Sequence, residues 1–533
     1  MSRSRQSAEL HKAGLVRNVG FAKIQSDLVS PNAKKENDAF SNWLQRLNPE
    51  EFSKEIIHKS LRLLPYQVEF DEAMFWMVLF MVRSEEEGQI CLTKDSLFEM
   101  VKEKKPDLMP EKSLEYIFSK YQIGYLADQI PFLEDMGSIY LVHLHKAETD
   151  LSKKIQEKIK TFKIDHKTEW RNSFLSDEQN FVVEKAFENG LTFISGGPGT
   201  GKTTIVETIT RRALLEGISP ESIVICSPTG KAAKRLKESA TKLFSEFPEL
   251  SLPATIHKVL QYSAKHRRFR KNSNNPLDVE LLIIDESSMV DIFLADSLFS
   301  ALPENPDKPL RVIFIGDPDQ LLSVNSGSIF SDLVYLEGVS FQLTKSYRIT
   351  SQKKLLTELK ECIAKGEQFD FSQKIKDKDE RVEVAFIEPD LAIENDLFAK
   401  LSSWRNSFRD QAEETFQILS PFNEGVGSVF EINSFFHESL LGEIDKGLCD
   451  YKEPVIVRKN LYDYDLYNGE TGFLFREKGE WVFQSDATIC KIPQGLIVAF
   501  DKAYAITVHK SQGSEYDHVC LVIPHLEDSQ KTI

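Results

Sequence analysis

The sequence predicts an α/β protein: two parallel-sheet regions, the second carrying a small all-β insert, preceded by a mostly helical N-terminal region. Three observations predict it. From Leu191 onward, short apolar runs alternate with helix-patterned stretches, the mark of a parallel sheet covered on both faces. A glycine-rich turn, GGPGTGKT at 196–203, lies between one such run and a helix. Every polar motif of note follows the carboxyl end of a predicted strand, where open parallel sheets bind ligands.

Length and composition set the frame. The chain has 533 residues, enough for roughly three or four domains of about 150 residues each. With 41 % hydrophobic and 28 % charged residues, it can build cores and is not a disordered tail. Lys and Arg total 66 against 82 Asp and Glu, a formal charge of −16. Such an acidic whole argues against non-specific coating of polyanions, but not against a local basic track. The six cysteines (Cys91, Cys226, Cys362, Cys449, Cys490 and Cys520) form no CxxC pair. That disfavours a zinc or dithiol centre and points to a reduced, cytoplasmic compartment. MSRSRQSAELHK at the N-terminus shows no apolar leader,. The longest apolar run, Ala73–Val82, is about half a membrane span, so no membrane association is expected.

Residues 1–150 make up the helical region. PNAKKEN (31–37) is a polar break, SNWLQRLNP reads as a helix ending before Pro49, and the run around Trp76 reads as a buried helix,. No chemical motif falls here, so packing or partner docking is the expectation. ETDLSKKIQEKIKTFK (148–163) places Leu151, Ile155 and Ile159 on one helical face,. It leads into the first sheet region, 165–345, with strands at LTFIS (191–195), SIVICS (222–227), LLIID (281–285) and RVIFIGD (311–317). The second region, 346–533, has strands at VEVAFIE (382–388), TFQILSP (415–421) and within Tyr504–Ile523. Between about 454 and 500, PVIVRKN, NGETGFLF and EWVFQS alternate short strands with turn residues, an all-β insert,.

GGPGTGKT fits the P-loop pattern in the right context, between strand and helix,. Its members Gly196, Gly197, Pro198, Gly199, Thr200, Gly201, Lys202, Thr203 and Thr204 would wrap backbone N–H groups around phosphates, with Lys202 reaching the β/γ-phosphates. Thr203 and Asp285 would hold Mg²⁺, which prefers hydroxyl, carboxylate and water oxygens. Asp285 and Glu286 follow four apolar residues; Glu286 is placed to orient or deprotonate an attacking water. Gln320, in GDPDQL, stands at a third strand end as a γ-phosphate sensor. Arg348, in LTKSYR, offers a positive charge for phosphoryl transfer, although a lone loop arginine is also an ordinary salt-bridge residue.

Two basic clusters follow the early strands: Lys231, Lys234, Arg235 and Lys237 in one, KHRRFRK (265–271) in the other. Each reads either as a phosphate track or as a solvated face.

Taken in order, ISGGPGTGKTT, SPTGKAAKRL, ATIHKVL, DESSMVD, GDPDQLLSV, LTKSYR, LYNGETG and AITVHKSQGSEYDHV resemble a superfamily 1 helicase, and specifically the RecD family. RecD is the alpha chain of exodeoxyribonuclease V, the RecBCD complex. The resemblance covers roughly 175–520. It implies two RecA-like sheet domains, an SH3-like insert, ATP and Mg²⁺ as cofactors, and 5′→3′ movement on single-stranded DNA in double-strand break repair and recombination. The implied partners are duplex DNA ends and RecB-like and RecC-like subunits. Carried over by motif, Gln179 matches an adenine-reading glutamine. Gly513 and Glu515 match a block that couples nucleotide to DNA. Pro228, Thr229, Lys231, His257, Thr507 and His509 fall in the blocks implied to line the strand.

One departure is visible. The family's last block, of the type YTAxTRAR, does not occur before Ile533. The expectation is therefore a C-terminally incomplete second sheet domain, and losing such an arginine slows phosphoryl transfer by about 10³–10⁵. The alternative reading is a nucleotide-binding scaffold subunit that hydrolyses poorly. No nuclease constellation is found, and the first 150 residues hold no helix-hairpin-helix pair of the longer RecD-like branch.

Overall fold

The computed structural model describes residues 72–121, 132–161, 171–304, 309–347, 393–407, 415–447 and 450–523, apart from 264, 322, 324, 486–487 and 515, together with positions 56, 59, 60, 358 and 362. The VEVAFIE run, Arg348, Cys449 and Glu515 lie outside the described residues. The chain divides into two compact units, Met1–Glu148 and Thr149–Ile533.

In the first unit, α1 (Glu72–Glu86) buries residues around its whole circumference, including Met74, Trp76, Met77, Val78 and Phe80. A helix apolar on every side can only be an interior helix. It is surrounded by Leu97, Phe98 and Val101 of α2 (Lys94–Lys104), Leu114 of α3 (Pro110–Tyr121), and Phe132, Ile139 and Leu141 from a small sheet. That sheet is antiparallel, in the order β1-β3-β2, from β1 (Cys91–Thr93), β2 (Phe132–Asp135) and β3 (Ser138–Leu141). Strands this short carry too few residues for a period to show, so the sequence reading had only the helices. The next helix, α4 (Val142–Thr161), continues into the second unit and buries Leu151 and Ile155 on one face.

The second unit opens with α5 (Asp177–Glu188), whose start is a capping box between Ser176 and Gln179,. Six strands then form one parallel sheet in the order β11-β4-β10-β9-β5-β6. They are β4 (Leu191–Gly196), β5 (Ile223–Ser227), β6 (Ala254–Thr255), β9 (Leu281–Ile284), β10 (Arg311–Gly316) and β11 (Ser340–Leu343). A side hairpin, β7 (Tyr262–Ser263) with β8 (Arg268–Phe269), stands apart from it. Every residue of β4, β9 and β10 is buried, as expected for central strands covered on both faces. The cover comes from α5, α6 (Lys202–Leu215) and their neighbours. Across the β4–β10 register Phe193 faces Phe314 with ring centroids 5.2 Å apart. Truncating Phe193 to alanine would cost about 3–5 kcal/mol.

Helices α7 (Gly230–Ser239), α8 (Thr241–Glu246), α9 (Ile256–Val259), α10 (Ile292–Ser300) and α11 (Ile329–Leu333) occupy the connections of this sheet. After α12 (Ile393–Ser407), a second parallel sheet runs β18-β12-β19, from β12 (Phe416–Ser420), β18 (Ala505–Thr507) and β19 (His518–Leu521). Helix α13 (Val429–Asp445) is stitched to it by Asn433. Its amide oxygen accepts the Ala505 N–H at 2.8 Å and its amide nitrogen donates to the Ala505 and Lys502 carbonyls. Between α13 and β18 lies a five-stranded antiparallel sheet, order β16-β15-β14-β13-β17. It comprises β13 (Lys452–Val457), β14 (Thr471–Glu477), β15 (Glu480–Gln484), β16 (Ile489–Ile492) and β17 (Phe500–Lys502), closed over Val455, Leu474, Phe483 and Ile492. The α/β class is thus as the sequence predicts, with two parallel sheets and an all-β insertion in the second.

Candidate nucleotide and DNA site

The site is built where β4, β5, β9 and β10 end. The turn after β4 has Gly199 and Gly201 at φ 77° and 86°, a backbone region that side chains resist. Gly201 also has no room for one, because a Cβ there would lie 2.6 Å from the Gln179 amide. At Gly196 a Cβ would meet the Thr200 hydroxyl at 2.6 Å and Leu343 of β11 at 3.1 Å. The loop is therefore closed from below by Gln179, whose amide donates to the Thr200 carbonyl at 3.1 Å, and from the side by β11. Gln179 is buried, with its amide oxygen accepting the Ser176 N–H.

Lys202 opens α6, so its backbone lies at a helix N-terminus aimed at the loop,. Its ammonium donates to the Gly196 and Gly197 carbonyls at 2.7 and 3.2 Å. Thr203 is half-buried beside it, and Thr204 is exposed. The loop's other hydroxyl, Thr200, donates to the Gly197 carbonyl at 2.9 Å.

Opposite stand the carboxylates. Asp285 is half-buried, and its desolvation together with repulsion from Glu286 raises its carboxyl to about 7, against which Lys202 pulls it down. Burial likewise raises Glu286, opposed by Lys202 and reinforced by Asp317. Glu286 has φ 53° and ψ 43°, a left-handed conformation uncommon outside glycine and a place where backbone strain is held. One of its carboxylate oxygens is buried without a hydrogen-bond partner, as are the hydroxyls of Ser227 at the end of β5 and Ser288. Buried orphans are rare and demand an explanation. Here they converge on strand ends next to a P-loop, and their chemistry fits a phosphate–Mg²⁺ group with its waters. Gln320 lies in the turn after β10, its N–H donating to the Asp317 carbonyl at 3.2 Å.

The second sheet reaches this place through the 507–514 segment. Gln512 donates to the Leu321 carbonyl at 2.8 Å, just past GDPDQ. Lys231 of α7 donates to the Ser514 hydroxyl. Gly513, at φ 66°, lies between the two. The structure thus brings Gln179, residues 196–204, Asp285, Glu286 and Gln320 to one end of the first sheet, with Gly513 on the segment that bridges to the second.

The residues matched to the strand-lining blocks lie at the neighbouring ends of β5, β6 and β18. Thr229 and Thr507 are N-caps, their hydroxyls accepting the N–H groups of Ala232 and Lys510 at 3.2 Å. Pro228 is half-buried, and His509 is exposed. Exposed His257 packs edge-on against Tyr262 at 5.5 Å and is tilted over Phe269 at 5.5 Å, while Tyr262 and Phe269 pair across the β7–β8 hairpin. Exposed Lys265, His266, Arg267, Arg268 and Arg270 surround that cluster. Aromatics among arginines are a base-stacking arrangement, and the alternation is present in QYSAKHRRFRK. The other basic cluster is partly internal. Lys234 pairs with Glu470 of the insert at 2.7 Å, the two side chains 13 % and 10 % exposed, and also donates to Thr488. Burial holds Lys231 down at about 8. A solvated face does not describe either lysine.

Loop, half-buried acidic strand end and helix N-terminus define a P-loop ATPase core with a second sheet closing on it. The comparisons with known proteins place it further. A family model described as an AAA domain matches residues 179–326, and one described as a UvrD-like helicase C-terminal domain matches 502–532. The RecBCD enzyme subunit RecD of Buchnera aphidicola (subsp. Acyrthosiphon pisum) is 28 % identical over 474 residues, 76 % of this chain and 78 % of that one. RecD of Mycobacterium tuberculosis (strain H37Rv) is 27 % identical over 511 residues, covering 89 % and 86 %. The ATP-dependent RecD2 DNA helicase of Deinococcus radiodurans is 28 % identical over 403 residues, 73 % of this chain but 51 % of that protein. Over most of its length this chain is thus similar to RecD subunits, and over a shorter span to a RecD2 DNA helicase.

Proposed function

We propose that the chain is an ATP-driven motor that moves 5′→3′ along single-stranded DNA, as the RecD-type subunit of a RecBCD-like helicase-nuclease acting on duplex ends in break repair. The observation that carries the reading is the convergence of Lys202, Asp285 and Glu286 at a sheet end that residues 512–514 tie to the second sheet. Because residues 512–514 hydrogen-bond beside the GDPDQ turn and to α7, a nucleotide held on the loop would bear on how the two sheets close.

In that reading the backbone of Gly197–Lys202 and the α6 N-terminus bind the phosphates. Lys202 leaves its two loop carbonyls for the β/γ-phosphate oxygens. Thr203 and Asp285 would hold Mg²⁺, which neutralises phosphate charge during transfer. Glu286, whose carboxyl is raised by desolvation, orients and deprotonates the attacking water. Gln320 senses the γ-phosphate and Arg348 stabilises charge in the transition state. Gln179 reads the base side, and Gly513 and Glu515 pass the nucleotide state to the strand. Pro228, Thr229, Lys231, His257, Thr507 and His509 line that strand, and the Tyr262–Phe269 cluster gives it a stacking surface.

Residues 1–150 serve as the docking region for RecB-like and RecC-like partners, residues 165–345 and 346–533 as the two RecA-like motor domains, and the antiparallel insert as an SH3-like accessory module. The assembly is cytoplasmic. Among the described residues no helix is long and apolar enough to cross a membrane.

Tailed duplexes test the direction. With the partner motor inactivated, the assembly should unwind a 5′-tailed duplex in an ATP-dependent manner and leave a 3′-tailed one intact, and Lys202→Ala should abolish the activity. Equal unwinding with Lys202→Ala, or unwinding of the 3′-tailed duplex alone, would contradict the assignment.

A further inference from the structure

The segment leaving β11, Thr344–Tyr347, does not simply exit the sheet. It is pinned at both sides. On one side Glu178, in the first turn of α5, accepts the Thr344 N–H at 2.9 Å and the Thr344 hydroxyl at 2.7 Å, with the Lys345 N–H at 3.4 Å. On the other, the Ser346 hydroxyl donates to the Pro198 carbonyl at 3.1 Å and the Tyr347 N–H to the Gly199 carbonyl at 2.8 Å. One carboxylate thus takes three donors from a strand exit 166 residues away in sequence, and the next two residues of that exit close on the P-loop itself.

Adjacent side chains divide the work. Gln179 holds the loop from below through the Thr200 carbonyl, and its neighbour Glu178 holds the segment that rests on the loop's Pro198–Gly199 edge. Hydrogen bonds to an ionised carboxylate are stronger than neutral ones. Glu178 is therefore the firmest of these anchors, and Arg348 is the next residue after the anchored stretch.

We propose that Glu178 is a positioning residue for ATP hydrolysis: it fixes Thr344–Tyr347 against the P-loop, so that the chain leading to Arg348 starts from a set place beside the phosphates. It touches no substrate. Its loss should lower turnover while leaving nucleotide affinity intact, because the phosphate-binding N–H groups stay where they are. A misplacement on the ångström scale is enough to slow a positioned reaction by about tenfold to a hundredfold. The inference rests on the motor reading above and adds to it a named residue for coupling the strand exit to the loop.

The test uses the full chain in its assembly, with Glu178→Ala, Glu178→Gln, Thr344→Val and the Glu178→Ala/Thr344→Val pair. Hydrogen exchange of the peptide containing Thr344–Tyr347 is read first, since it needs no catalysis. Glu178→Ala should speed exchange at Thr344, Lys345 and Tyr347, and Glu178→Gln, which keeps an acceptor oxygen, should restore much of the protection. Single-strand-stimulated ATP turnover is read second. A drop in kcat of about tenfold or more in Glu178→Ala with KM and fluorescent-ADP affinity within about twofold supports the proposal, and the double variant should be no worse than Glu178→Ala alone. Unchanged exchange would overturn it, as would a fall in nucleotide affinity that accounts for the whole loss. If Glu178→Ala does not fold, Thr344→Val carries the same two readouts. A wild-type chain without Lys202-dependent turnover would remove the motor reading and the catalytic half of this proposal together; the exchange result would still decide the anchor.

Discussion

The two parallel sheets of the second unit differ in what they bring to the site. The first is six strands wide, and every residue of its central strands is buried. It carries the P-loop, the half-buried acids and the orphaned hydroxyls on its own strand ends. In the second, three strands are described, and β19 alternates between half-buried and exposed residues. This sheet contributes ties to the first: Gln512 to the Leu321 carbonyl, Ser514 to Lys231, and, from its insert, the Glu470–Lys234 ion pair. Chemistry is thus local to one sheet, while coupling is spread over bonds that join residues far apart in the chain. The first can be broken at a point; the second should loosen by degrees.

Glu286→Gln strikes the first sheet hardest. Removing a general base costs about 10²–10⁴ in rate, so single-strand-stimulated turnover should fall by that order, while nucleotide binding measured by fluorescence stays within a few-fold. A variant that hydrolyses as fast as wild type would move the base elsewhere, Asp317 being another acid whose charge acts on Glu286.

Breaking the coupling side calls for Glu470→Ala. It leaves Lys234 buried beside the insert without its carboxylate, and stranding one member of a buried pair costs about 3–5 kcal/mol. Urea unfolding of the assembled chain should show that loss, and Lys234→Met/Glu470→Leu should recover most of it. Little loss in Glu470→Ala would mean that the tie is solvated and the insert is held by something else.

The smallest effect has a pH signature. In the fold the Asp285 carboxyl is raised to about 7 from a reference of 3.8 by burial and by Glu286. Between those values the folded chain keeps a proton that the unfolded chain has lost, so stability falls as pH rises through that window and levels off outside it. Asp285→Asn lacks this fall. It should be more stable than wild type above pH 7, by about 1–3 kcal/mol without nucleotide, and equal to it near pH 4, while losing turnover. A gain independent of pH would show that packing, not charge, is responsible.

How much of this could be read beforehand follows the same division. GGPGTGKT and LLIIDE were legible because each is a contiguous motif whose chemistry depends on neighbours in the chain. The strands at 191–195 and 311–317 were legible because central parallel strands are unbroken apolar runs. Lys234 was not: in sequence it belongs to a basic cluster, and only the fold places Glu470, 236 residues on, against it. Glu178 was hidden for the same reason, since a glutamate at a helix start looks like a capping residue and its partners come from another strand's exit. Thr229 and Thr507 show a subtler gap. Their blocks were recognised, but their hydroxyls are already bound to helix N–H groups, a local use that a motif match does not reveal.

If the first sheet's site drives a motor, its ATP turnover must respond to single-stranded DNA. ATP hydrolysis by the assembled chain, with the partner motor inactivated, tests it most directly, measured with and without single-stranded DNA for wild type and Lys202→Ala. Turnover should rise on adding the strand and vanish in the variant. Equal, near-background rates for both chains, or strand-stimulated turnover that survives Lys202→Ala, would contradict it.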